Sequence, residues 1–541
     1  MCKDERAAGR EDRCDGGPGD WQDGGLRQMA ESVAACATMA EVLGKTAHAF
    51  PERIFLICGE QHYGYASFDA LVNRCCRYLE ALGVRQGDVV SAVLRNSVDY
   101  LLVYFACLRR GAVLNPFPAH LSAAEVLDKA AILSPRVLFC HKSHAKDLAA
   151  APVPVVNLDA LEGGFVNALA VYSDAPYATP PLAADATAVM YYSSGTTGSP
   201  KIIEYTHAAQ LAGQASMLRG GFTRPGGVHL CVLPLGHTAA LRYTIKPCVC
   251  TGSTVVLYES FWKVRNHFWE TLATHRVNFV EVVPSILIAI LNTPYPDFRP
   301  EQAASLDCIG CGSSTLPVAL QDAFAARFGV PVINLYGLSE TGGTHFDNPR
   351  LPGRTTGTIG RPFDVVDAKV FGDNGEESAP GQVGQIGVRG PTLLKTYHGA
   401  PEMFAACFQN GYFMTGDLGF VDAEGLWHYV DRLKDLVIKG GVNIVPAQID
   451  EVLYTHPAVE EVATLGKPDP LWGEVVKCFV VMKKGGAVGA AELIALCRER
   501  LGDFKAPSEI AFVESLPKGP SGKILKRQLR EQELLSAVRQ G

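Results

Sequence analysis

Residues Ser193, Ser194, Gly195, Thr196, Thr197, Gly198, Ser199, Pro200 and Lys201 join two hydroxyl pairs, two glycines and a lysine in one run. The run follows Ala188-Val189-Met190-Tyr191-Tyr192, which reads as a buried strand. A donor-rich, flexible loop leaving such a strand can wrap the phosphates of a nucleotide. The Walker A order of glycine, four residues and Gly-Lys-Ser/Thr is absent, and Pro200 precedes the lysine. Taken alone, the run reads either as a phosphate loop or as an ordinary Gly/Ser/Thr surface loop.

Five further segments have unusual composition. Pro234-Leu235-Gly236-His237-Thr238 and Tyr336-Gly337-Leu338-Ser339-Glu340-Thr341 each follow a strand pattern. Gly411 to Asp417 precedes a hairpin pattern, and Arg432-Leu433-Lys434-Asp435 continues into Lys439-Gly440-Gly441. Pro517 to Arg527, with Lys523 between Gly522 and Ile524, lies near the C-terminus.

In the order and spacing of these six segments, the chain resembles the adenylate-forming superfamily of acyl- and aryl-CoA synthetases, adenylation domains and luciferases, over roughly residues 45–535. The resemblance implies activation of a carboxylic acid with MgATP to an acyl-adenylate and pyrophosphate, then transfer of the acyl group to a thiol. A carboxylate is a poor electrophile because its oxygens leave badly; joining it to AMP supplies a good leaving group. That reaction needs a polyphosphate clamp, a cation at the α-phosphate and an adenosine cradle.

Residue by residue, the resemblance implies that Ser193 to Lys201 hold the β/γ-phosphates, with Thr196 and Thr197 as hydroxyl donors. Tyr336 stacks on adenine, Gly337 permits its close approach, and Gly312, Ser313 and Tyr429 complete the nucleotide site. Thr341 donates to the α-phosphate and Glu340 holds Mg²⁺. Asp417 accepts both ribose hydroxyls, since an ionised carboxylate is acceptor-only. Arg432 supports ribose and phosphate. Lys523 bridges the acid carboxylate and the α-phosphate, offsetting repulsion between two anions. Lys434 is the hinge about which a small domain turns. Lys439, Gly440 and Gly441 then face the site in the thioester stage and let a pantetheine arm pass.

His237 stands where relatives place a wall between the acid and thiol sites; plain structural hydrogen bonding is its other reading. Gly236 replaces a bulkier residue, which could widen the site locally. The expected acid pocket is His237, Thr238, Ala239, Val283, Ser285, Gly310, Cys311, Gly312 and Leu338. These are small or apolar, which points to an aryl, alicyclic or medium-chain acid rather than acetate or a dicarboxylate. Thr238 stands where amino-acid-activating relatives carry aspartate, so an ammonium would be left unpaired. His345 and Asp347 are further polar candidates without a place. The expected thiol is free coenzyme A, with a separate acyl carrier protein as the alternative. An inactive ATP-binding protein is a reading of another class, opposed by the retention of Lys201, Glu340, Asp417, Arg432 and Lys523.

These groups need a scaffold that brings distant loops to one place. Apolar strand patterns at 54–57, 88–94, 113–116, 137–140, 228–233, 254–257, 278–283, 306–310 and 331–336 alternate with helical patterns at 68–82, 99–109, 122–131, 207–219, 261–275 and 318–328. Such alternation implies parallel sheets covered by helices. Short strands and Gly/Pro turns then dominate from Gly357 to Tyr429. Beyond residue 436 come roughly 105 residues of α+β character. The expected fold is α/β: a large N-terminal domain of parallel helix-covered sheets with a β-rich subdomain, and a small mobile α+β C-terminal domain. The divisions are a disordered tail at 1–27, an adenylation domain at 28–431, a hinge at 432–436 and a small domain at 437–541.

Composition agrees with this class. The 541 residues exceed one core, and 54 glycines and 33 prolines suit a loop-rich α/β enzyme. A formal charge of -7 argues against nucleic-acid binding. Sixteen cysteines in a chain this long are not a disulfide scaffold, and a reducing cytoplasm is the expected setting. Cys308 and Cys311 lack the partners of a zinc site. No signal peptide or membrane span is expected, and the protein is expected to be a monomer or homodimer.

Overall fold

The structure, a computed structural model, describes residues 25–193, 201–348, 356–519 and 522–540. Most of the expected tail lies outside the described residues, and a helix begins at Gly25, three residues before the expected onset of order.

Two large sheets carry the N-terminal part. The first has nine strands. Ile54–Cys58, Thr254–Leu257, Val228–Cys231, Phe279–Val282, Cys308–Gly312 and Val332–Leu338 run parallel in that spatial order. Antiparallel strands close both edges: Gln61–Gly64 on one, Gly342–Phe346 and Arg361–Pro362 on the other. The second sheet has seven strands, with Val89–Val93, Val113–Phe117, Val137–Cys140, Val155–Asn157 and Thr187–Ser193 parallel. Lys201–Thr206 pairs antiparallel with Thr187–Ser193. Helices cover both sheets because their strands are apolar on both faces. Helix Val98–Arg110, buried along nearly its whole length, is shared by the main core.

The β-rich part is a five-stranded antiparallel sheet built on the ten-residue strand Tyr412–Val421. Its last strand, Trp427–Arg432, leads through a single turn, Leu433–Asp435, into a smaller C-terminal α+β unit. That unit has its own core, including Val437, Ile444, Ile449, Leu453, Val476 and Cys478. Its sheet pairs Val459–Asp469 with Gly473–Met482 in a long hairpin.

Local departures from the sequence expectations have physical causes. The expected helix at 261–275 is three pieces, Phe261–Val264, Arg265–His267 and Phe268–His275, because the segment bends to bury Phe261, Phe268 and Trp269 together. The strand expected at 306–310 lies at Cys308–Gly312, in register with Val332–Leu338. Gly310 and Gly312 are therefore strand residues, and a Cβ at Gly312 would come within 2.7 Å of the Leu335 carbonyl. A terminal helix, Lys526–Gln540, was not anticipated. Among the described residues, no helix is long and apolar enough to cross a membrane.

Candidate functional site

The carboxyl end of the nine-stranded sheet, the β-rich sheet and the C-terminal unit meet around Asp417. Asp417 and Arg432 are register partners on adjacent strands. The Arg432 Nε lies 2.7 Å from Asp417 Oδ1, an ion-pair contact whose angle is not that of a hydrogen bond. Oδ1 therefore keeps acceptor capacity. Tyr336 Oη donates to Asp417 Oδ2 at 2.8 Å. Asp417 is buried, which pushes its carboxyl pKa up while Arg432 pulls it back. Tyr429, two residues along the same hairpin, faces Tyr336 with ring centroids 6.1 Å apart. Gly337 is required by packing, because a Cβ there would collide with the Gly342 carbonyl. Ser313, at the end of its strand, holds a left-handed φ of 66°, a conformation that clusters at functional loops.

The phosphate-side candidates gather on Tyr397. The Lys201 ammonium sits 4.6 Å from the Tyr397 ring centroid, and the Tyr397 hydroxyl faces Glu340 Oε1 at 3.5 Å. Thr341 is buried; its Oγ1 accepts from the Leu338 N–H at 3.0 Å and donates to the Gly342 carbonyl at 3.1 Å. Ser194, Gly195, Thr196, Thr197 and Gly198 lie outside the described residues. Among the described residues, no cluster of three His, Cys, Asp or Glu could hold a metal ion alone. Glu340 offers one half-buried carboxylate whose only side-chain hydrogen bond among the described residues is long. That fits a Mg²⁺ carried mainly by nucleotide phosphates, which typically takes one or two protein carboxylates.

On the acid side, His237 follows the strand Val228–Cys231 through Pro234 and Gly236. Among the described residues its Nε2 is buried without a partner, and burial pushes its pKa down to about 4, so the ring is neutral near pH 7. Gly236 adds no room: a Cβ there would lie 2.9 Å from the Phe117 carbonyl, so that backbone fills the space. Val283, Gly310, Cys311 and Gly312 are buried, and Thr238, Ala239, Ser285 and Leu338 half-buried, along or just beyond the ends of four neighbouring strands. His345 is fully buried behind Tyr336, between that ring and Trp427, and its Nδ1 is 3.0 Å from Thr344 Oγ1. It is a wall of the tyrosine, and Asp347 beyond it is also buried.

Two charged side chains near this pocket escaped the sequence reading. Arg242 projects from a π-helical turn, Ala240–Ile245, and its Nη1 donates to the Leu338 carbonyl at 3.4 Å. Glu281 lies in the strand Phe279–Val282 and is 2% exposed.

The C-terminal unit reaches into the same place. Lys523 stands beside Arg432, Asp417 and Lys434; desolvation first, then Arg432, push its ammonium pKa down to about 8. Neighbouring Gly522 packs on the acid-side wall, where an added Cβ would meet Ser285 Oγ and lie 2.9 Å from Val283 Cγ2. Glu451 accepts from the N–H groups of Val318 and Ala319 at 3.0 and 2.8 Å, capping helix Val318–Phe328 across the two parts. Lys434 lies in the connecting turn, whose Asp435 is tied to Arg530 at 2.8 Å. Lys439, Gly440 and Gly441 are not brought to Asp417. Lys439 Nζ donates to the Phe504 carbonyl at 2.9 Å within the C-terminal unit, and both glycines are exposed at a hairpin turn.

Comparison with known proteins agrees with this geometry. A family described as AMP-binding enzyme matches residues 43–398, and one described as AMP-binding enzyme C-terminal domain matches residues 448–523. A sulfoacetate–CoA ligase of Cupriavidus necator is 33% identical over 91% of this chain and 97% of its own length. A feruloyl-CoA synthase of an Amycolatopsis species is 34% identical over 86% and 93%. Among solved structures, ATP-bound MatB from Rhodopseudomonas palustris aligns with a TM-score of 0.84 at 28% identity, covering 91% of this chain and 98% of that one. An AMP complex of O-succinylbenzoate coenzyme A synthetase from Bacillus subtilis aligns with a TM-score of 0.78 at 30% identity, covering 90% and 98%.

Proposed function

The chain belongs to the AMP-binding enzyme family of ATP-dependent, adenylate-forming ligases, and on that premise we propose that it is a carboxylic acid:CoA ligase. The observation that carries the reading is the seating of Lys523 beside Arg432 and Asp417, with Gly522 against the acid-side wall.

In this reading the arrangement is the one that forms the acyl-adenylate. Asp417 accepts the ribose hydroxyls, since Arg432 opposes the effect of burial on its carboxyl and Oδ1 remains open. Tyr336 and Tyr429 flank the base. Lys201 and Glu340 sit on the phosphate side, Glu340 holding Mg²⁺, which when bound supplies charge neutralisation at the phosphates. Thr341 donates to the α-phosphate by giving up its bond to the Gly342 carbonyl. Lys523 places its ammonium between carboxylate and phosphate, offsetting the charge that builds as the oxygen attacks. Neutral His237 forms the wall.

The thioester step uses a second arrangement, with Lys434 as the pivot. Around Lys439, Gly440 and Gly441 the C-terminal unit exposes Ile438, Val442, Leu471 and Trp472. An apolar patch of this kind on a mobile unit fits a face that is covered in another position. The relatives' names support coenzyme A as the thiol.

The test is MgATP- and acid-dependent pyrophosphate release across a carboxylate panel, with and without coenzyme A, with products identified by mass. A CoA thioester supports the reading. Release of pyrophosphate with a trapped adenylate and no CoA product overturns the choice of thiol.

A further inference from the structure

Arg242 is the group around which unexplained buried polarity collects. Its guanidinium reaches the Leu338 carbonyl, at the end of the strand that carries Tyr336. The charged and polar groups that surround it are Tyr191, Tyr205, Tyr243, Lys246 and Glu281. No carboxylate among the described residues closes an ion pair with it; its bond is to a carbonyl and its nearest electrostatic neighbours are phenols. Gln214 Nε2 donates to the Arg242 carbonyl at 3.1 Å, which fixes the π-helical turn that aims the side chain. Inserted π-turns of this kind recur at functional sites.

Two neighbours carry unmet hydrogen-bonding capacity. Among the described residues, Glu281 Oε2 is buried without a partner and Tyr243 Oη has no well-aligned hydrogen bond, its hydroxyl lying against the Arg242 guanidinium; both residues are under 5% exposed. Such groups cost stability unless something satisfies them. Burial pushes the Glu281 carboxyl pKa up to about 8, so near neutral pH it is a protonated donor rather than a counter-ion for Arg242. Lys246, one turn further on and 6% exposed, adds a second basic group, with its pKa pushed down to about 7 by burial and then by Arg242. The region is therefore short of negative charge. A substrate ammonium would meet Arg242 and a neutral Glu281, which disfavours an amino acid.

Position sets what can fill it. Glu281 is two residues before Val283, and Val283 with Ser285 forms the wall on which Gly522 sits beside Lys523. Leu338 lies at the same strand end as the Thr341 turn. An acid whose reacting carboxylate lies at Lys523 thus extends its other end toward Arg242. We propose that the acid accepted by this site carries a second anionic group, bound by Arg242, with the Glu281 carboxyl and the Tyr243 hydroxyl completing the cradle. The substrate class is dianionic: a dicarboxylate or a sulfonated carboxylate. This rests on the ligase reading above, and it departs from the small, apolar pocket that the sequence implies.

The test compares malonate, succinate, glutarate and sulfoacetate with acetate, hexanoate, benzoate and ferulate, in the parent enzyme and in Arg242→Leu and Arg242→Lys. Two readouts are used: pyrophosphate release, and thermal stabilisation by each acid in the presence of a non-hydrolysable ATP analogue. The expected result is preference for a dianionic acid in the parent. Arg242→Leu lowers its kcat/KM roughly 100-fold or more relative to a monocarboxylate, and Arg242→Lys lowers it less. The carboxylate and sulfonate arms separate the two forms of the second anion. Turnover confined to monocarboxylates overturns the proposal and leaves the ligase reading standing. Stabilisation by a dianionic acid that Arg242→Leu abolishes, with no turnover of any acid, supports the subsite and counts against the ligase reading. No response to any dianionic acid in either readout overturns the proposal, whatever the variants do.

Discussion

Gly522, next to Lys523 of the C-terminal unit, lies directly against Ser285 at the start of the helix Pro284–Asn292, so one glycine joins that unit to the acid-side wall. Its φ is 79°, and an added Cβ would meet Ser285 Oγ and Val283 Cγ2. Both the backbone conformation and the contact demand glycine. Gly522→Ala is expected to slow adenylate formation by roughly 100-fold, because misplacement of about 1 Å at a reacting group costs that much. Thioester formation from supplied acyl-adenylate should stay within a few-fold of the parent. Single-turnover assays of the two half-reactions check this, and equal loss in both would remove Gly522 from the docking contact.

The depressed pKa of Lys523 gives a pH signature. A free lysine titrates near 10.5, and in the docked position the value is about 8. The docked form binds protons less readily than the released form, so docking of the charged lysine is penalised fully below pH 8. The penalty fades as pH rises from about 8 to 10.5. In the proposed mechanism catalysis runs the other way, because the step uses the ammonium. In the adenylation half-reaction, kcat/KM for ATP, which reports ionisations of the free enzyme, should fall as pH rises through about 8. Lys523→Arg should be slower but should lack that limb, since a guanidinium stays charged. An identical alkaline limb in both enzymes would assign the ionisation to another group.

The motifs of the proposed nucleotide site were legible because each is a run of special residues. Tyr336-Gly337 and Gly416-Asp417 combine an aromatic or carboxylate with a glycine, required at 337 by packing and favoured at 416 by a φ of 73°, and they stand out against any regular element. Arg242 and Glu281 were not legible. Glu281 interrupts the apolar strand Phe279–Val282 once, as ordinary surface-facing strand residues do. Arg242 sits at a helix-like spacing where a solvated arginine is normal, and only the π-helical turn directs it inward. The alternation of strands and helices showed the layers. It could not show that Cys308–Gly312 slides two residues to meet the register of Val332–Leu338, since register is set by the neighbouring strand.

Glu451 looks in sequence like a solvated helix residue, and in the structure it caps a helix of the other part. Its two oxygens take the first N–H groups of Val318–Phe328, a charge-assisted bond at the positive end of the helix dipole. Glu451→Gln should weaken the docked arrangement by about 1 kcal/mol. The expected readout is a several-fold fall in adenylation rate with the C-terminal unit's own thermal stability unchanged. Loss of stability without a change in the rate ratio of the half-reactions would make Glu451 a structural residue only.

Lys434 lies in the one-turn connection Leu433–Asp435, between Arg432, which touches Asp417, and Val437, the first core residue of the C-terminal unit. A rotation of that unit must be absorbed in these few dihedrals. Proline at 434 fixes its own φ and disfavours the helical region for Leu433. Lys434→Pro is therefore expected to restrict exchange between arrangements. Because Asp435 is already tied to Arg530 at 2.8 Å in the docked form, the variant should keep adenylate formation better than thioester formation, by about tenfold in the ratio of the two rates. Lys434→Ala, which removes charge but leaves the backbone free, should keep the parent ratio. If the alanine and proline variants shift the ratio equally, the effect belongs to the ammonium beside Lys523, and the pivot lies elsewhere in the connection.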